Sequence, residues 1–180
     1  MKPLLPLLLL VAGLLTAWLP GTAAAAAADG EEAAPPRERP GTGLPLPRFV
    51  SLRANKVFLR SGPGYNYPIR FVYQRRQLPV QIIDEFDTWR QIRDWQGDVG
   101  WVHEAMLTGN RTALVTAGEA LLRQSPKDEA APVARLQHLV IGNLRGCVKG
   151  WCELSVSTYD GWLPSSEIWG TDGSDETAPR

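Results

Sequence analysis

The stretch Val57-Phe58-Leu59-Arg60-Ser61-Gly62-Pro63-Gly64 is echoed by Leu122-Arg123-Gln124-Ser125-Pro126, an offset of 63 measured at the Leu-Arg pair. Working outward, Trp89-Arg90-Gln91-Ile92 returns as Trp151-Cys152-Glu153-Leu154 at offset 62, and Gly100-Trp101-Val102 as Gly161-Trp162-Leu163 at offset 61. The closing segments Met106-Leu107-Thr108-Gly109 and Glu167-Ile168-Trp169-Gly170 keep that last offset. Matches in one order at nearly one spacing identify a duplication. Each copy is about sixty residues, a size that folds alone only marginally.

Within the first copy the apolar residues come in short runs, Val57 to Arg60, Ile69 to Tyr73, Leu78 to Ile83, Trp89 to Arg93 and Val99 to Val102. They are rich in Val, Ile, Trp and Tyr and are punctuated by Gly, Pro, Asn and Asp, which predicts strands and hairpins. Arg75-Arg76 falls in a strand-to-strand turn. Short strands in so small a unit suit a barrel, because closure removes exposed edges. The best helical candidate, Ala117 to Leu122, stops at Ser125-Pro126, and its repeat partner is the strand around Phe58. The expected fold is all-β: two tandem small barrels over 49–109 and 110–169.

The flanks differ in kind. Met1 and Lys2 precede an apolar run from Leu4 to Leu19, and small residues follow up to Ala28, the pattern of a secretory signal peptide over 1–28. The run is short for a bilayer span of about 20 apolar residues, so contact with the membrane is expected only during export. Residues 29–48 are rich in Ala, Pro, Glu and Gly and read as a disordered linker. The polar, acidic segment 170–180 reads as a disordered tail. Lys and Arg number 19, as do Asp and Glu, for a formal net charge of +0. With no clustered basic footprint, nucleic acid is excluded as a partner class.

The Val57 to Gly64 run, the Trp89 and Trp151 strands and the Gly-Trp-Val/Leu endings together resemble bacterial SH3 domains. That resemblance covers Phe49 to Trp169 and implies SH3-like barrels. It further implies an extracytoplasmic, periplasmic or secreted module that binds cell-wall peptide or an envelope protein, with any catalysis in a separate fused domain. The segment Gly161-Trp162-Leu163-Pro164-Ser165-Ser166-Glu167-Ile168 is also similar to eukaryotic SH3 domains, where the residue at Pro164 lines the ligand groove. There a Tyr stands at the position of Glu167. The departures at Glu167, at Met106 and at His103 in place of Pro164 argue against a proline-rich ligand held in the eukaryotic manner.

Strand parity places Cys152, Leu154 and Val156 on one face and Trp151 on the other. Trp89 and Trp151 are then groove residues or covers for a loop or the sister copy, while Trp101 and Trp162 are assigned to packing. Tyr65 and Tyr67, on the loop that Gly62-Pro63-Gly64 turns, would be presented near Trp89 or would cover a hairpin end. The second copy has no aromatic there, so the first is the better binding candidate. Candidate ligand-binding residues are Tyr65, Tyr67, Trp89, Trp151 and Pro164.

Cys147 and Cys152 bracket four residues of a hairpin and would face each other, and a disulfide is favoured in an exported protein. Their counterparts Glu85 and Arg90 would form an opposite-charge pair. Two cysteines fall short of a metal site, and no cofactor is expected. No Gly-x-Ser-x-Gly elbow is present. His138 reads as a hydrogen-bonded structural residue, and Asp84, Glu85 and Asp87 as solvated at a hairpin tip. No catalytic residue is assigned. A non-catalytic binding module is therefore the leading expectation, with a structural adaptor and then a wall hydrolase such as a Cys/His peptidase as alternatives.

Overall fold

The computed structural model describes residues 41–172. The signal-peptide segment, the first part of the linker through residue 40 and the tail from residue 173 lie outside the described residues. The first copy holds β1 (Arg48–Leu52), β2 (Val57–Arg60), β3 (Ile69–Tyr73), β4 (Pro79–Phe86), β5 (Trp89–Arg93), β6 (Val99–His103) and β7 (Leu107–Thr108). The second holds β8 (Thr112–Val115), β9 (Glu119–Arg123), β10 (Pro132–Gln137), β11 (Ile141–Val148), β12 (Trp151–Val156), β13 (Tyr159–Pro164) and β14 (Ile168–Trp169). A single 3₁₀ turn precedes each final strand, Glu104–Met106 and Ser165–Glu167. Within the Ala117 to Leu122 stretch the residues from Glu119 on are strand, as the repeat partner predicts, and Ala117 and Gly118 form a bend. The outer strands β1, β7, β8 and β14 have no counterpart among the sequence-predicted runs.

The two sheets have one topology, β3-β2-β6-β5-β4-β1-β7 and β10-β9-β13-β12-β11-β8-β14. Neither hydrogen-bonded order closes on itself. The first core instead joins the ends of its sheet through side chains, with Val57, Leu59, Tyr73, Val80, Ile82, Ile92 and Val102 in one buried cluster. A single register pair, Arg60 with Trp101, links β2 to β6, and Arg123 with Trp162 links β9 to β13. The chain passes so close there that a Cβ on Gly100 would lie 2.8 Å from the Arg60 carbonyl oxygen, and one on Gly161 2.6 Å from that of Arg123. This close approach is why both copies place Gly before the repeated Trp.

One polar anchor lies within the first core. Tyr73 donates its hydroxyl to Asp94 Oδ2 at 3.0 Å, and Asp94 Oδ1 accepts the amides of Gln96 and Asp98, which fixes the β5–β6 turn. Burial and the Asp94 carboxylate push the Tyr73 phenol far above its ordinary range.

The copies are not separate beads. Leu114 of β8 is fully buried and belongs to the first copy's core, against which Leu139, Ile141 and Trp169 also pack. The Trp169 ring meets Phe49 edge-on at 5.1 Å, and His138 meets Trp95 edge-on at 5.6 Å. Between these apolar contacts the buried hydroxyls of Ser51 and Thr112 lie 2.7 Å apart, and they reach the carbonyls of Asn110 and Gln77. His138 is therefore an exposed turn residue whose ring rests on the sister copy, where a hydrogen-bonded structural histidine was expected. The reason is that the strand ends at Gln137 and Leu139 adopts φ 66°.

Candidate functional site

Parity is regular along β5 and β6, so Trp89, Gln91, His103 and Trp101 share the outward face while Ile92 and Val102 are fully buried on the other. Trp89 stands opposite His103, and Gln91 opposite Trp101. Above this face the β2–β3 loop brings Tyr65. Its ring meets Trp89 edge-on at 5.1 Å and stacks on His103 at 5.8 Å, and Trp89 meets His103 edge-on at 5.4 Å. Tyr65 is 70% exposed and Trp89 only 7%. The tyrosine is thus the contact surface and the tryptophan its floor.

The loop is held rigidly enough to aim that ring. Arg60 Nη1 donates to the carbonyls of Tyr65 at 3.0 Å and Tyr67 at 2.8 Å, and its guanidinium lies 5.5 Å over the Tyr65 ring. Ser61 N–H donates to the Pro68 carbonyl and Tyr67 N–H to that of Gly64. Tyr67 turns away from the trio and lies over Gly62, where a Cβ would come within 2.4 Å of its ring. The glycine makes room for the tyrosine.

The second copy repeats the bracing without the aromatic. Arg123 Nη1 donates to the Ala130 carbonyl at 2.8 Å, and the amides of Gln124 and Ala130 donate to Ala131 and Lys127 as their counterparts do. Asp128 stands in the position of Tyr65. Trp151, opposite Pro164 on β13, consequently keeps a half-buried, uncapped ring. Beside this pair Glu153 stands opposite Trp162.

Trp101 and Trp162 depart from the expectation of packing. Each is half-buried, stands on the outward face and contributes to neither core cluster. The signal was available in the sequence, since Val102 and Leu163 beside them fill the core and alternation then turns the tryptophans out.

One residue along β5 from Trp89, and on the other face by parity, Arg90 stands opposite Glu85 where the second copy has Cys152 opposite Cys147. Glu85 is not solvated at a hairpin tip. Its side chain is 6% exposed, and its Oε1 lies 3.3 Å from Arg90 Nε and bonds Arg48 Nη2. It also accepts the amide and hydroxyl of Thr42, which holds the end of the expected linker against β4. Burial pushes the Glu85 carboxyl up, but the bonds from Arg48 and Thr42 outweigh it and leave the group below its ordinary value. Arg90, itself buried, pairs on its other side with Glu104.

Cys147 and Cys152 are bonded, with Cα atoms 4.0 Å apart. The ladder continues one pair beyond them to Val148 and Trp151, so the loop is Lys149-Gly150 alone, with φ 49° and 81°. It is shorter than the four residues inferred from spacing. So short a closed loop removes little unfolded-state entropy, and the stabilisation should be about 2 kcal/mol or less. Mass spectrometry of the protein without reductant should find it lighter by the two thiol hydrogens; free thiols would contradict the bridge. Among the described residues no three His, Cys, Asp or Glu side chains converge as a metal site would require.

These features define a class: a duplicated all-β protein whose two sheets present matched outward faces of paired tryptophans. The family model of the bacterial SH3 domain matches residues 53–109 and again residues 116–170. The chain belongs to the bacterial SH3 domain family. No curated protein matches it. Among solved structures it is similar to NlpC1 from Trichomonas vaginalis, with 12% identity and a TM-score of 0.34 over 74% of this chain and 51% of that one. NlpC2 from the same organism gives 13% and 0.33 over 71% and 51%. The chain spans about half the length of those two proteins.

Proposed function

We propose that this chain is an exported, non-catalytic binding module that engages cell-wall peptide through the outward face of its first copy. The observation that carries this reading is Tyr65, held out over Trp89 and His103 by a loop braced on Arg60 while remaining 70% exposed. An exposed aromatic on a braced loop loses little freedom when it meets a ligand, so its contact area contributes to affinity rather than to ordering. Export is supported by the signal-peptide pattern at residues 1–28 and by a cysteine pair in bonded form, which oxidising compartments favour. The family supports a binding role, since its members commonly bind cell-wall components.

Co-sedimentation with purified wall sacculi tests the proposal. The wild-type protein should pellet, and Tyr65→Ala should weaken pelleting about threefold to tenfold, the worth of one aromatic contact. Because Tyr65 lies outside both cores, its removal leaves the fold in place. Equal pelleting of the two proteins would exclude this face. Absence of pelleting by the wild type would exclude the wall as ligand and turn attention to a protein partner, sought by crosslinking in intact cells.

A further inference from the structure

The two outward faces differ at one position between their tryptophans, and that position is charged in only one copy. On β5 the neutral Gln91 stands between Trp89 and Trp101; on β12 Glu153 stands between Trp151 and Trp162. Glu153 is directly opposite Trp162 and two residues along the same face from Trp151. It is half-buried, and its side chain makes no hydrogen bond or ion pair among the described residues. The neighbouring cations are already engaged. Arg123, on the far side of Trp162, is bonded to the Ala130 carbonyl at 2.8 Å, and Arg145 pairs with Asp160 at 3.2 Å.

A carboxylate on a half-buried residue, set by register between two tryptophans on one sheet face and without a counter-charge, has the composition of an ammonium site. The indole faces attract a cation through their quadrupoles, and the carboxylate supplies the opposite charge. The second copy has no tyrosine cap, so the approach to Trp151 is open where that to Trp89 is covered. We propose that the Trp151–Glu153–Trp162 face binds a primary ammonium group carried on a flexible side chain, such as the amine of a peptide's basic residue. The duplicated domains would then be chemically distinct readers. The proposal rests on the reading of the outward sheet faces as binding surfaces, but on a different copy from the one tested by Tyr65→Ala.

The probe is Nα-acetyl-lysine N-methylamide, titrated into the full mature protein at low ionic strength and followed by the indole N–H resonances. The resonances of Trp151 and Trp162 should shift, and the same compound acetylated on its ε-amine should bind at least about tenfold more weakly. Glu153→Gln, which keeps the shape of the side chain, should cost a similar factor, while Tyr65→Ala should leave the titration unchanged. Equal binding of the charged and acetylated probes, shifts confined to other tryptophans, or an unaltered titration in Glu153→Gln would each overturn the site. If the lysine probe binds while wall sacculi do not pellet the protein, the ammonium site stands and the wall reading fails. The reverse pattern removes this inference and leaves that reading intact.

Discussion

Leu114→Ala is expected to destabilise both copies together, by about 3 kcal/mol, although the residue belongs to the second copy alone. Its side chain is fully buried in the first copy's core, among the cluster that includes Leu52, Val80 and Leu107. Truncation removes its transfer free energy and leaves a cavity at the seam. The surrounding groups are held by the Ser51 and Thr112 hydroxyls and by the Phe49–Trp169 contact, so they cannot readily collapse into it. Urea unfolding followed by tryptophan fluorescence and by far-ultraviolet circular dichroism should show one transition moved to lower denaturant with its slope unchanged. A second copy that unfolds early while the first keeps its wild-type midpoint would show that the shared core does not couple them.

Glu85→Ala should cost about 3 kcal/mol, because it removes the carboxylate shared by the buried Arg90 and the largely buried Arg48. Arg90 is 4% exposed and would keep only Glu104 as a charged partner, while Arg48 would lose its bond to the carboxylate. The dependence on pH has a definite sign. Glu85 titrates below its ordinary value of 4.5 in the folded protein, so its contribution is fully present above that value. It is lost as pH falls through the depressed folded-state value. Stability measured by urea unfolding should therefore decline on acidification below the ordinary carboxylate range, and Glu85→Ala should flatten that part of the decline. A variant as stable as wild type, with the same acid slope, would remove the ion network from any role in holding the hairpin and residues 41–48 together.

Much of the fold was legible because the chain states it twice. The Leu-Arg, Trp and Gly-Trp echoes set the strand order, and the alternation of Leu154 and Cys152 with Trp151 set the facing of β12. The opposition of Cys147 to Cys152 followed from their hairpin spacing, and that of Glu85 to Arg90 from the repeat offset. The outer strands were not legible, since β7 and β14 are two residues each and owe their structure to pairing with β1 and β8 rather than to any local pattern. Of the candidate site, the nearness of Tyr65 to Trp89 was readable from the loop and the strand. The turning of Tyr67 onto Gly62 was not, because it depends on which ring the space above a single glycine admits.

The repeated strands and the chemistry offered by each outward face follow from the order of residues alone. Which of these groups act together was settled by packing in three dimensions. It placed Leu114 in the sister core and buried Glu85 among arginines. It capped Trp89 but left Trp151 open. The physical reason is that local pattern specifies periodicity and turn, whereas burial and pairing depend on residues dozens of positions away, and it is burial that separates a packing ring from a binding one.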